Sequence, residues 1–211
     1  MKLAAFSILI LVLVIGVDGC SSSNGPANTV SWAIPNPGSY FVMGYIDSLY
    51  NGSDTFVVIS SGVINGRENT ISFGGSRYLP FHFMSYAPNG DIYICSDVGA
   101  RWSRFPTGGD TSFDSVYNSY TYYGTYDLMK TFRTYNGTGT ITIGGREFST
   151  IKIHEVDSEF QASGRPGNII VDTGSETIDY NFIPSIGFEG SDFDTTAGQW
   201  SIDALVSYVL N

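Results

Sequence analysis

From about residue 40 to the C-terminus, apolar and polar residues alternate in short runs separated by turn residues. The runs are rich in aromatic and β-branched residues, as in Tyr40 to Ile46, Thr55 to Ile59 and Thr177 to Ile183, and Gly, Asn and Pro lie between them. Alternation with period two predicts half-buried strands. We therefore expect an all-β fold, an antiparallel curved sheet of about ten short strands arranged as a half-barrel or sandwich.

Turn residues place the breaks between these strands. Asn51-Gly52 and Asn136-Gly137 predict hairpin turns, and Pro106 to Asp110 predicts a loop near the midpoint. The last segment, Trp200 to Leu210, alternates with period two, which favours a strand. A helix is the alternative for this segment, because Ile202, Leu205, Val206 and Val209 would form an apolar stripe along one side of it.

The N-terminus has a different pattern. Lys2 precedes an apolar run from Leu3 to Val17, which predicts a secretory signal peptide and is short for a membrane span of about 20 residues. Val17-Asp18-Gly19-Cys20 resembles the lipobox of bacterial lipoproteins, and the resemblance implies that Cys20 receives the lipid, although Asp18 departs from the usual pattern. An ordinary cleaved signal and an uncleaved anchor are the alternatives.

These patterns divide the chain into three parts. Residues 1–19 are the predicted lipoprotein signal peptide, and residues 20–33, rich in Ser, Asn, Gly and Pro, are a predicted flexible tether. Residues 34–211 are a single predicted β domain. Cleavage before Cys20 would leave 192 of the 211 residues, enough for one domain with a buried core.

Composition and charge narrow the classes of partner. The formal net charge is −10, which argues against nucleic acid and anionic lipid surfaces as electrostatic partners. The chain has two cysteines. If Cys20 carries lipid, Cys95 has no intramolecular disulfide partner, and we expect it to be a buried thiol.

Two stretches of the second half carry a family resemblance. Gly145 to Ile153 contains a Gly-x-x-Phe-x-Thr strand motif, and Tyr180 to Phe188 is an aromatic strand ending in Pro-x-x-Gly. With the closing strand to Leu210, these stretches resemble uncharacterised bacterial exported lipoproteins, distantly like the curved antiparallel half-barrels that carry lipoproteins across the periplasm. The resemblance implies a curved sheet; this chain shows little sign of the helices that plug those half-barrels.

No catalytic residue is assigned. The sequence contains only two histidines, His82 and His154, and it lacks a Gly-x-Ser-x-Gly elbow, a Ser-x-x-Lys motif and a His-Glu-x-x-His motif. Enzymatic activity is therefore left open and not favoured, and no cofactor is expected. Carboxylates that could serve a glycosidase are Glu155, Asp157, Glu159 and Glu189.

Two groups of residues are candidate binding sites. Tyr117, Tyr120, Tyr122 and Tyr123 could stack against a ligand, although such a cluster also suits a packed sheet face. Asp192, Asp194 and Asp203 have a spacing that suits oxygen ligands of Ca²⁺, with an acidic hairpin turn as the alternative.

The sequence-based hypothesis is a non-enzymatic, lipid-anchored protein of the bacterial envelope that binds an apolar or aromatic ligand or a protein partner. Ser21 after the cysteine resembles the outer-membrane sorting pattern, so we expect the outer membrane, with the membrane contacted through the N-terminal lipid. The expected partners are an amphiphile, a glycan or an envelope protein. The alternatives are a carbohydrate-active enzyme or glycan-binding module, and a structural envelope assembly subunit.

Overall fold

A computed structural model describes residues 30–47, 51–75, 81–96, 101–109, 111–120, 125–165, 168–196 and 199–211. In this part of the chain the regular secondary structure consists of twelve strands. They are β1 (Tyr40–Asp47), β2 (Asn51–Ile64), β3 (Arg67–Gly74), β4 (Phe83–Tyr86), β5 (Ile92–Cys95), β6 (Ser103–Phe105), β7 (Thr111–Tyr120), β8 (Thr125–Ile143), β9 (Arg146–Arg165), β10 (Asn168–Ile183), β11 (Phe188–Thr196) and β12 (Gln199–Val209). The described residues include no helix, so none that is long and apolar enough to cross a bilayer.

All twelve strands form one antiparallel sheet. Strands that follow each other along the chain pair with each other, except β6 and β7. β1 also pairs with β12, which gives the order β6-β5-β4-β3-β2-β1-β12-β11-β10-β9-β8-β7. This order is a meander that curls back on itself and is open only between β6 and β7. The expected all-β antiparallel curved sheet is confirmed, as a nearly closed barrel.

Side chains hold the two edge strands together. The Ser112 hydroxyl on β7 donates a hydrogen bond of 2.7 Å to the Arg104 carbonyl on β6. Nearby, Arg101 forms an ion pair with Asp114 over 3.6 Å. The loop that connects these strands is the one predicted at Pro106 to Asp110, so the predicted midpoint break lies at the seam of the barrel.

The strand count and two turns differ from expectation. There are twelve strands rather than about ten, and β9 alone is 20 residues long. Asn136-Gly137, predicted as a turn, lies within β8, where the pairing changes from Tyr135 opposite Ile153 to Thr138 opposite Ile151. One extra residue on β8 is accommodated there as a β-bulge, and Gly137 adopts a φ of +89°. Asn51-Gly52 likewise belongs to β2, where Asn51 pairs with Ile46.

The hydrophobic core lies beside the turn between β10 and β11. Phe41 on β1 stacks on Phe188 of β11 with ring centroids 4.0 Å apart, and both side chains are almost completely buried. Phe182, Ile183 and Ile186 pack into the same cluster. Cys95 on β5 is buried, as expected.

The segment before β1 also packs against the domain. Trp32 donates a hydrogen bond of 2.6 Å from its indole nitrogen to the Gly90 carbonyl, and the Ala33 amide donates one of 2.9 Å to the Pro184 carbonyl. Val30 and Trp32 contact the core cluster. The last residues of the predicted tether are therefore in contact with the barrel, whereas residues 20–29 and the predicted signal peptide lie outside the described part.

Candidate functional site

Parts of β8 and β11 reverse the usual placement of apolar and polar residues. On β8, Phe132 is 43% exposed while the adjacent Arg133 is only 7% exposed. Along β11, the exposed Phe193 lies between Asp192 and Asp194, which face the interior cavity. A sheet with one solvated face normally turns its apolar residues inward. Here several polar and charged side chains point into the barrel.

These inward side chains border a cavity of about 340 Å³ between β5–β6 and the strands β8 and β10–β12. Its apolar wall includes Phe81, Ile94, Phe105, Ile178 and Tyr180. Its polar wall includes Arg133 and the four carboxylates Glu189, Asp192, Asp194 and Asp203. The volume is at the lower end of the range for small-molecule sites.

Arg133 organises one side of this site. Its guanidinium donates a hydrogen bond of 2.7 Å to the Asp114 carboxylate and forms a close ion pair with Glu155, which is directly opposite on β9. The guanidinium also lies over the Phe105 ring, 4.4 Å from the centroid. A buried guanidinium needs such partners, because an unpaired buried charge is strongly destabilising.

Glu155 is held in an environment that opposes its ionisation. Burial raises the pKa of its carboxyl to about 7, although Arg133 and the Tyr180 hydroxyl both favour the charged form. The Tyr180 hydroxyl donates a hydrogen bond of 3.2 Å to Glu155. Burial also raises the pKa of Tyr180 well above its ordinary value, so this hydroxyl keeps its proton at neutral pH.

Glu189, Asp192 and Asp203 form an acidic group on β11 and β12. Asp192 is directly opposite Asp203, which brings their Cβ atoms to about 5 Å. Burial and the Asp203 charge raise the pKa of Asp192 to about 7. Burial, with a smaller contribution from the Asp192 charge, raises the pKa of Glu189 well above its ordinary value. Protonated Glu189 is therefore the donor in the hydrogen bond between these two side chains.

The predicted metal ligands lie on the same wall of the cavity. Asp192 and Asp194 are two residues apart on one face of β11, opposite Asp203 and Ser201 respectively. Within the described ranges, however, no group of three or more Asp, Glu, His or Cys side chains is arranged to hold a metal ion. The metal role of these aspartates stays a prediction.

The other predicted site residues are not tested by the structure. Tyr117 and Tyr120 belong to β7, opposite Leu128 and Thr125, but their side chains lie outside the described part. Tyr122, Tyr123 and the lipidation candidate Cys20 also lie outside the described residues.

Of the two histidines, His82 is exposed. His154 on β9 contacts Asp179 on β10, with 2.7 Å between Nδ1 and Oδ1. His154 is therefore one of a cross-strand pair on the sheet.

The sequence analysis missed Arg133 and Tyr180 as site residues and considered Glu155 and Glu189 only as possible glycosidase acids. Arg133 follows Phe132 in an aromatic run, and the apolar pattern favours Phe132 as the buried residue. A usable signal was the period-two spacing of acids, as in Glu155-Asp157-Glu159 and Asp192-Asp194. Acids at alternate strand positions share one face of a sheet.

Comparisons with known proteins show the fold. No protein-family model matches the chain, and no curated protein sequence matches it. The fold is similar to that of a "putative lipoprotein" from Parabacteroides distasonis, with a TM-score of 0.55 and 11% identity over 85% of this chain and 99% of that chain. The resemblance to lipoproteins with a curved antiparallel sheet is thus confirmed at the level of the fold.

A second solved structure is more distant. It is the hypothetical lipoprotein YmcC from Escherichia coli, with a TM-score of 0.34 and 11% identity over 80% of this chain and 84% of that chain.

Proposed function

We propose that this chain is a lipid-anchored protein of the bacterial envelope, held at the outer membrane, that binds a small ligand in the cavity of its barrel without catalysing a reaction. The observation that carries the binding role is the cavity itself. It combines aromatic walls with charged groups inside the sheet, beside a packed hydrophobic core. Such a mixture of apolar surface and a few convergent polar groups is typical of small-molecule sites.

The anchored location is supported by the N-terminal sequence and by the fold. The apolar run from Leu3 to Val17 and the following Gly19-Cys20 suit export and lipidation. The similar fold in Parabacteroides distasonis carries a lipoprotein description. A lipid on Cys20 would leave ten residues before Val30, a span of at most about 35 Å if extended.

Membrane fractionation tests the anchor. We expect the full chain to fractionate with membranes, and Cys20→Ser to move it to the soluble fraction, because the lipid would have no attachment site. Cys95→Ala changes the other cysteine and should leave the chain with the membranes. Membrane retention of the Cys20→Ser protein would contradict lipid anchoring.

A cavity-filling substitution tests the binding role. Ser201 lines the cavity, so Ser201→Leu should occupy it, whereas Ser207→Leu places the same side chain at an exposed position of β12. We expect small aromatic alcohols, amines or carboxylates to show saturation-transfer NMR signals with the wild type and the Ser207→Leu protein. These signals should disappear with Ser201→Leu. Absence of binding by all three classes would refute the proposed role.

A further inference from the structure

Three carboxyl side chains, Glu189, Asp192 and Asp203, form the acidic wall of the cavity. Among the described residues, none of the ion pairs involves Glu189, Asp192 or Asp203. The Oε1 atom of Glu189, a side chain only 5% exposed, has no hydrogen-bond partner. A buried polar atom in that state costs free energy, and it borders a space where a ligand could contact it.

Both arginines that line the cavity already have partners. Arg133 contacts Asp114 and Glu155 with its guanidinium and lies over the Phe105 ring, and Arg101 forms an ion pair with Asp114. Asp192 and Asp203 are directly opposite each other, a pairing that destabilises a sheet when both side chains are charged. No other basic side chain among the described residues lines the cavity, so a positive charge beside these two aspartates would come from a ligand.

The apolar wall opposite the carboxyl groups determines which kind of cation fits the cavity. Phe105 and Tyr180 pack edge to face with ring centroids 5.2 Å apart, and Phe81 and Ile178 extend this apolar surface. A divalent metal needs several oxygen ligands around it, and no suitable group of three is present in the described ranges. An ammonium group with a hydrocarbon body can instead contact carboxylates on one side and aromatic rings on the other.

We propose that the cavity binds a small organic amine, with its ammonium group against Glu189, Asp192 and Asp203 and its hydrocarbon part against Phe105 and Tyr180. This inference rests on the proposed binding function and names the class of ligand. The ammonium donates hydrogen bonds to the carboxylates, including the unpartnered Oε1 atom of Glu189. It also offsets the repulsion between Asp192 and Asp203.

A matched series of ligands tests the charge requirement. Phenethylamine, phenethyl alcohol and hydrocinnamate share an aromatic ring and differ in charge. With the full chain purified in a non-ionic detergent, calorimetry should show that the amine binds at least about tenfold more tightly than the alcohol or the acid. Asp192→Asn and Asp203→Asn should each weaken amine binding about tenfold. Asp179→Asn, an exposed change on β10, should leave it unaltered.

The outcomes separate this inference from the proposed function. Equal binding of the three compounds, all abolished by Ser201→Leu, would overturn the amine and keep the cavity as a binding site. No binding of any compound would overturn both. Calcium ions that bind in place of the amine, and lose affinity in the same aspartate variants, would overturn the amine in favour of a metal site. Thermal unfolding shows whether each variant is folded; if Asp192→Asn is not, Asp203→Asn decides.

Discussion

At the scale of single residues, the acidic wall is stable because one carboxyl keeps its proton. Glu189 is buried, and two nearby carboxylates, Asp192 and Asp203, make its ionisation less favourable still. In the neutral form it can donate a hydrogen bond to Asp192, and this stabilises the one negative charge that the pair retains. The protein thus carries fewer buried charges at neutral pH than its formal charge indicates.

Glu189→Gln tests this protonation state. Glutamine is neutral and can still donate to Asp192, so we expect the free energy of unfolding at pH 7 to change by less than about 1 kcal/mol. Urea unfolding of the full chain measures the difference. A loss above about 2 kcal/mol would show that Glu189 is ionised in the folded protein.

Asp91 is a buried carboxylate that forms an ion pair, so Asp91→Asn serves as the comparison for Glu189→Gln. Asp91 accepts hydrogen bonds of 2.7 Å from Arg104 and 3.0 Å from the Thr107 amide. Its neutralisation removes the ion pair with Arg104 and weakens the hydrogen bonds that the buried carboxylate accepts, so we expect a loss of about 2–3 kcal/mol in the same urea experiment. If Glu189→Gln and Asp91→Asn are equally stable, the proposed difference between a protonated Glu189 and an ionised Asp91 is contradicted.

At the scale of structural elements, the turn between β10 and β11 holds the segment before β1. Gly187 has a φ of +67°, and a Cβ atom there would lie 1.7 Å from the Ala33 carbonyl oxygen. The Gly187 carbonyl also accepts a hydrogen bond from the buried Tyr86 hydroxyl. Glycine is required here both for its backbone conformation and for the close approach of residues 33–35.

Gly187→Ala should therefore release this segment. We expect a loss of at least about 2 kcal/mol of stability and faster proteolysis within residues 30–36, measured by thermal unfolding and limited digestion. Gly144→Ala is the control, because Gly144 has a similar φ of +57° with nothing within 4 Å of its added Cβ. It should cost only about 1 kcal/mol and leave the segment protected. Similar behaviour of the two variants would contradict the role of the close contact.

The alternation of apolar and polar residues predicts strands, but it does not predict how they bend or which strands pair. Period-two alternation identified strands across most of the chain, including the last one at Trp200 to Leu210. It could not predict that Asn136-Gly137 forms a bulge rather than a turn, because both use the same backbone freedom of glycine. The pairing of β1 with β12 depends on registry between residues about 160 apart, which no local pattern specifies.

The site was harder to predict for a related reason. Asp192, Asp194 and Asp203 could be grouped by spacing because they occupy two strands joined by a short turn. Arg133 and Tyr180 reach the cavity from separate strands, and Glu155 contacts both of them from a third strand. The direction of these polar side chains contradicts the rule that apolar residues face inward. Only the closed sheet shows that these polar residues share an interior.

At the scale of the whole molecule, the acidic interior should make the stability of the barrel fall as pH rises. Glu155 and Asp192 both have folded-state pKa values raised to about 7, above their unfolded values of 4.5 and 3.8, and burial is the main cause. The folded protein therefore binds protons more tightly than the unfolded chain between these values. Stability is fully present below the unfolded pKa and is lost as pH rises towards 7.

We expect the free energy of unfolding of the full chain to decrease by roughly 2–4 kcal/mol between pH 5 and pH 8, measured by urea unfolding across that range. Asp157 and Asp203 contribute in the same direction, since burial raises the pKa of each. Glu155→Gln should flatten the pH profile because its side chain cannot ionise, whereas Glu147→Gln, an exposed change on β9, should leave the slope unchanged. A stability that rises from pH 5 to pH 8 would contradict the raised pKa values of Glu155 and Asp192, because carboxyl groups with such values lower the stability across that range.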